Sequence, residues 1–168
     1  MGRNKYYQYF VEGDDDKKVI ETLKTDMQLI VPGKVQKFNV VEKLLTKNHI
    51  MTLKEGTYVV LVFDTDTKNV EILKQNLNFL RKQKVVKEVI CVMQVRNLED
   101  EMLRCCAIKQ VKELTRSRSN KDFKTDILRI SNLEKRLKEC DFDFSKLWIT
   151  VPENIYKEIE QSAHKIKK

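Results

Sequence analysis

Three stretches of this chain are apolar almost without a break and rich in β-branched or aromatic residues: Tyr6 to Val11, Thr57 to Phe63, and Val85 to Met93. Runs such as YVVLVF and VVKEVICVM suit strands buried on both faces, which occur where helices cover both sides of a parallel sheet. A shorter stretch, Val35 to Val41, is a fourth candidate. Between the strands lie helical patterns. Val19, Ile20, Leu23 and Met27 recur at intervals of three or four within Asp14 to Leu29, and Val70, Leu73, Leu77 and Leu80 do so within Asn69 to Gln83. A further helix is expected over Val41 to Asn48. Strand and helix alternate, so right-handed βαβ crossovers around a mainly parallel four-stranded sheet are expected.

Beyond Met93 the pattern becomes helical: Leu98 to Leu114, Asp122 to Glu139, and Pro152 to Lys167, with Pro152 suited to a first turn. Trp148, in KLWITV, reads as part of a short strand or extended segment, and TRSRSNK (Thr115 to Lys121) as an exposed loop. The expected organisation is an α/β core over residues 1–105 and a mostly helical extension over 106–168, packed on the core as one compact domain. A length of 168 residues suits one such unit.

The composition, 41% hydrophobic and 35% charged, excludes a disordered or fibrous chain. No apolar run approaches the roughly 20 residues a membrane span needs. MGRNKYYQYF carries no apolar leader, so a cytoplasmic location and no membrane partner are expected. Cys91, Cys105, Cys106 and Cys140 lack CxxC spacing and read as reduced, structural thiols. A net charge of +8 favours a polyanionic partner, because neutralised phosphates release counterions.

Acids follow the strands. The first ends in Val11-Glu12-Gly13, the third in Asp64-Thr65-Asp66, and Glu99-Asp100-Glu101 comes shortly after Met93. In open parallel sheets, ligands bind beyond the carboxyl ends of the strands. Residues two apart on an extended strand face the same way, so Asp64 and Asp66 suit one cation. Clustered carboxylates repel, and a hard ion such as Mg²⁺ or Mn²⁺ relieves the repulsion. The plain alternative is that Asp64 begins a turn, Asp66 caps a helix, and the acids Asp14 to Asp16 and Glu99 to Glu101 complement helix dipoles. Arg116, Arg118, Lys121, Lys124 and Arg129 form a basic stretch able to bind phosphate, or else a solvated loop and helix face. Tyr6, Tyr7, Tyr9, Phe123 and Trp148 are the aromatics that could stack on bases, most of them better read as core.

FVEGDDDKKVI resembles the opening motif of the Toprim domain, LVFDTDTKN resembles that family's DxD motif, and RNLEDEML resembles the acidic segment of its OLD-type and small-nuclease members. Order and spacing are kept over roughly residues 6–105. One departure is that DTDTKNVE lacks the glycine of the DxDxxG form, which distances the chain from topoisomerases and primases. Toprim proteins handle phosphodiester bonds with divalent metal. The resemblance therefore implies a Toprim/Rossmann-like α/β fold and a Mg²⁺- or Mn²⁺-dependent nuclease or related phosphodiester-transfer enzyme acting on DNA or RNA.

Carried over by resemblance, Glu12, Asp64 and Asp66 would hold one ion, and Glu99 with Asp100 or Glu101 a second, with Glu12 as ligand or general base. Lys124 would join the catalytic set, and Arg116, Arg118, Lys121 and Lys124 would contact nucleic acid. A separate ATPase chain or a second copy of the chain fits as partner. Two other readings stand beside this one. One is a non-catalytic nucleic-acid-binding or regulatory module on a degenerate Toprim fold; the other is a phosphotransfer domain with Asp64 phosphorylated.

Overall fold

The computed structural model describes residues 4–168, so the first three residues of the stretch read for a leader lie outside it. Four strands, β1 (Tyr6–Val11), β2 (Lys34–Lys37), β3 (Thr57–Asp64) and β4 (Val86–Gln94), pair into one all-parallel sheet in the order β2-β1-β3-β4. With helices on both faces, this is the expected Rossmann-like α/β architecture. Among the described residues no helix is long and apolar enough to cross a membrane.

Side chains alternate between the sheet's faces along each strand, so the near-continuous apolar runs feed two cores. Tyr9, Val11, Val60, Val62, Ile90 and Val92 pack beneath α1 (Asp14–Glu21) together with residues of α4 (Leu98–Cys105), α5 (Lys112–Thr115), α6 (Phe123–Ile127) and α7 (Leu133–Glu139). Phe10, Val59, Leu61, Phe63, Cys91 and Met93 pack on the opposite face against Leu73, Leu77 and Leu80 of α3 (Glu71–Arg81). All four cysteines are buried free thiols.

Several expected boundaries are corrected. The first helix passes into a π-helical turn at Thr22–Asp26, where the Thr22 hydroxyl donates to the Lys18 carbonyl at 2.8 Å, a local bond that bends helices. The strand expected over Val35 to Val41 stops at Lys37, and the helix expected over Val41 to Asn48 is instead a set of turns followed by one short helix, α2 (Lys47–Ile50). Asn76, buried in α3, explains why. Its amide donates to the carbonyls of Val40 and Lys43, and its oxygen accepts from the Leu45 amide, each at 2.7 Å. These bonds satisfy the backbone without a helix, while Val40, Val41 and Leu45 all reach the second core.

The C-terminal part departs most. Leu98 to Leu114 divides into α4 and α5 because Cys106 is extended (φ −117°, ψ 151°). Asp122 to Glu139 divides into α6 and α7. The helix expected over Pro152 to Lys167 is two 3₁₀ turns, Ile155–Glu158 and Ala163–Lys165. Tyr156 belongs to the second core, whereas Ala163 and Ile166 belong to the first, and a straight helix cannot serve both faces of a sheet. Between them the chain rounds the β4 edge. Gln161 accepts from the Met93 amide at 2.9 Å and donates to its carbonyl at 2.6 Å, and the Ser162 amide donates to the Cys91 carbonyl at 2.9 Å. Trp148 lies outside any strand, left-handed (φ 59°) and buried.

Candidate functional site

From β1 the chain moves outward to β2 and then back past β1 to β3. The direction of winding therefore changes between β1 and β3, and the crevice beyond their carboxyl ends is where open α/β sheets bind ligands. Glu12 directly follows β1 and Asp64 closes β3. The Asp64 amide donates to Glu12 Oε1 at 3.2 Å, across 52 residues of sequence.

Two residues that the sequence reading did not select complete this contact. Asp16, on the first turn of α1, reaches back to accept from the Gly13 amide at 3.0 Å, the acidic half of a capping box. Its other oxygen accepts from Gln94 Nε2 at 2.8 Å, and the same nitrogen donates to Asp64 Oδ1 at 2.9 Å. Gln94 lies opposite Asp64 in the β3–β4 register, so one amide ties two carboxyls from separate segments. Gln94 is itself held, since Trp148 Nε1 donates to Gln94 Oε1 at 3.4 Å. The spacing Glu12-x-x-x-Asp16 was the available signal for Asp16, four residues being one helical turn. Gln94 had no signal beyond being the first polar residue after Met93.

The electrostatics follow from burial. The Asp64 carboxyl is pushed up to about 9, first by burial and then by the charges of Glu12 and Asp16. Glu12 rises to about 7, again through burial and then Asp16 and Asp66, opposed by the Asp64 amide. Asp16 rises to about 6 through burial and Asp15, opposed by Gln94, Gly13 and Lys124. The cluster therefore holds protons near neutral pH. Burial also lifts Glu99 above its ordinary range, against the pull of Lys124, and among the described residues the buried Glu99 Oε2 has no hydrogen-bond partner.

Lys124, on α6, stands 4.0 Å from Glu99. Burial lowers its ammonium, but Glu99, Asp15, Asp64 and Asp16 together carry it above its ordinary value. The C-terminal segment also reaches this edge. Asn154 donates to the Thr65 carbonyl at 2.9 Å, and the buried Tyr156 hydroxyl bonds to that of Thr67. Burial raises the Tyr156 phenol, as do the charges of Glu12, Asp66 and Asp64, against the Thr67 bond.

Of the residues selected from sequence, Glu12, Asp64, Glu99 and Lys124 are brought to this edge. Asp66 lies outside β3, two residues beyond its last residue Asp64, and is exposed, close enough to act on Glu12 and Asp64 by charge. Asp100 sits beside Glu99 and is paired with Arg96 at 3.1 Å. Glu101 is fully buried, bound to Arg104 at 2.7 Å and to the Trp148 amide at 3.2 Å, a structural role. Arg116 turns to Glu139 at 3.3 Å. Arg118 and Lys121 are exposed on the loop before α6 and, among the described residues, neither forms an ion pair with the acids.

Glu12, Asp16, Asp64 and Glu99 are oxygen donors of the kind hard divalent cations take, and among the described residues one of their buried oxygens is left without a hydrogen-bond donor. Among the described residues, however, no three His, Cys, Asp or Glu side chains already stand in ligating reach of one point. Comparison with protein-family models, curated proteins and solved structures finds no match to this chain.

Proposed function

We propose that the chain is a divalent-metal-dependent nuclease or related phosphodiester-transfer enzyme of Toprim type, acting on nucleic acid. The observation that carries this reading is the meeting of Glu12 and Asp16, from the β1–α1 connection, with Asp64, from the end of β3, at the switch point of a parallel sheet. Carboxyls shifted together by burial and by one another's charge, in a crevice, are candidates for a functional site. Glu12, Asp16 and Asp64 would hold Mg²⁺ or Mn²⁺, with Glu99 at the margin. A bound ion of this kind would supply polarisation of the phosphodiester and a more acidic water.

The chain's own groups account for the rest. Without the ion, burial and the charges of Asp16 and Asp66 push Glu12 up to about 7, so an ion bound there would displace a proton near neutral pH. Lys124, beside Glu99, places a permanent positive charge where phosphate negative charge would accumulate. Gln94, anchored by Trp148, fixes Asp16 and Asp64 and so acts by positioning.

The test is incubation with single- and double-stranded DNA and RNA, with Mg²⁺ or Mn²⁺ against chelator. Metal-dependent cleavage is expected, lost in Asp64→Ala and Glu12→Gln, and reduced about 10²-fold or more in Lys124→Ala, as for other electrostatic groups. The second reading is a non-catalytic nucleic-acid-binding or regulatory module on the same fold. It is favoured by the lack of three acids in ligating reach among the described residues. Salt-sensitive binding without cleavage under any metal would select it over the enzyme.

A further inference from the structure

The end of the sheet opposite the acids is basic and aromatic. Tyr6 opens β1, Tyr58 is the second residue of β3, and Lys87 is the second of β4, so all three lie at the amino ends of adjacent strands. Two cavities, of about 350 and 1070 Å³, share Lys5 and Tyr6 as a common wall. Lys34 and Lys54 line the smaller, and Lys84 and Lys87 the larger.

All five lysines are exposed, and among the described residues none of them is in an ion pair. Among the described residues, Glu55 is the sole acid lining either cavity. The aromatics are presented with this charge. Tyr6 is 40% exposed, an unusual state for a strand tyrosine on a buried sheet. Lys54 Nζ lies 4.5 Å from its ring centroid and Lys5 Nζ 5.6 Å from that of Tyr58. Tyr7 stacks on Tyr58 at 5.0 Å, fixing the latter's plane.

Cations that track a phosphate backbone, set beside aromatic rings on which bases stack, are what single-stranded nucleic acid requires. An acidic protein would match the charge and leave the exposed ring without a role. We infer that this cleft, formed by Lys5, Lys34, Lys54, Lys84 and Lys87 around Tyr6, is a binding site for single-stranded nucleic acid, separate from the acidic edge. Strand β3 spans the two ends from Thr57 to Asp64, a separation of about 23 Å at the usual rise. At a stacked spacing of about 3.4 Å per nucleotide, a strand engaging both ends needs at least about seven nucleotides.

The site is tested by fluorescence anisotropy with a labelled single-stranded oligonucleotide of about a dozen residues, in chelator so that cleavage plays no part. The combined variant Lys54→Ala, Lys84→Ala, Lys87→Ala is expected to bind at least about tenfold more weakly. Its log-affinity against log-salt slope should be shallower by about 2, because each lost single-strand contact removes about 0.7. Tyr6→Leu keeps the apolar bulk and is expected to weaken binding by about five- to a hundredfold, the range for loss of one stacked base, with the salt slope unchanged. Unaltered thermal midpoints would show that both variants fold.

Unchanged affinity in either variant would overturn the inference, as would duplex bound as tightly as single strand. Equal lysine-dependent retention on phosphatidylserine vesicles would overturn it in favour of a membrane surface. Binding is read in chelator and cleavage with Mg²⁺ or Mn²⁺, so failure here and failure of cleavage are separate results.

Discussion

Replacing Asp64 with Asn should stabilise the protein, and increasingly so as pH rises. The Asp64 carboxyl sits near 9 in the folded chain against an ordinary 3.8, so the folded state binds its proton more tightly than the unfolded state does. Stability from this group is complete below about pH 3.8 and falls as pH rises towards 9, by up to about 1.4 kcal/mol per pH unit. pH 7 lies about three pH units above the unfolded value, so the accumulated difference has a ceiling of about 4 kcal/mol. Asparagine removes this penalty while keeping the oxygen that accepts from Gln94 and a donor directed towards Glu12. Even half the ceiling, at about 2–4 °C per kcal/mol for a chain of this size, is a rise of about 4–8 °C.

Thermal unfolding by circular dichroism from pH 4 to pH 8, in chelator, measures the difference. A gap between variant and parent that does not widen with pH would refute the burial argument, as would an Asn variant less stable than the parent at pH 8. Adding Mg²⁺ narrows the gap if the acids hold it: ion at 100 times its Kd stabilises the parent by about 2.7 kcal/mol and should do little for the Asn variant.

Gln94→Leu leaves the Asp16 and Asp64 carboxyls without their shared donor; a loss of about 1–3 kcal/mol in urea unfolding is expected, with any Mg²⁺ stabilisation abolished. Gly33→Ala should cost about 1–3 kcal/mol, because an added Cβ would lie 2.4 Å from the Tyr7 carbonyl oxygen; an unchanged urea midpoint would contradict that contact. Trp148 is the one tryptophan of the chain and touches Gln94, so its emission should shift as the acid cluster titrates between about pH 6 and 9, and this shift should vanish in Gln94→Leu.

The sheet was legible because its physics is local: Val59 to Phe63 and Ile90 to Met93 are apolar on both faces, and only a doubly covered parallel sheet buries both. Glu12 and Asp64 were legible as residues ending such runs. What escaped depended on pairings distant in sequence. Gln94 matters through the register that sets it opposite Asp64, and Asp16 through the same amide, whereas a string of three aspartates reads equally well as a dipole-complementing first turn. The C-terminal helices were over-extended because apolar spacing at 155, 156, 159, 163 and 166 is helical in period. It does not reveal that Tyr156 and Ile166 serve opposite faces. Arg116, Asp141 and Trp148 adopt left-handed backbone, and none is a glycine that would have announced a break.

An outermost strand of a sheet is an invitation to the next chain, since its amides and carbonyls seek partners. Here Gln161 and Ser162 fill that role for Met93 and Cys91 with side-chain and backbone groups of the same molecule. Any proteolytic nick or frameshift that strips the polypeptide from about residue 160 onwards would uncover an apolar ladder ready to recruit its like. The expected phenotype of such a truncation is insoluble assembly.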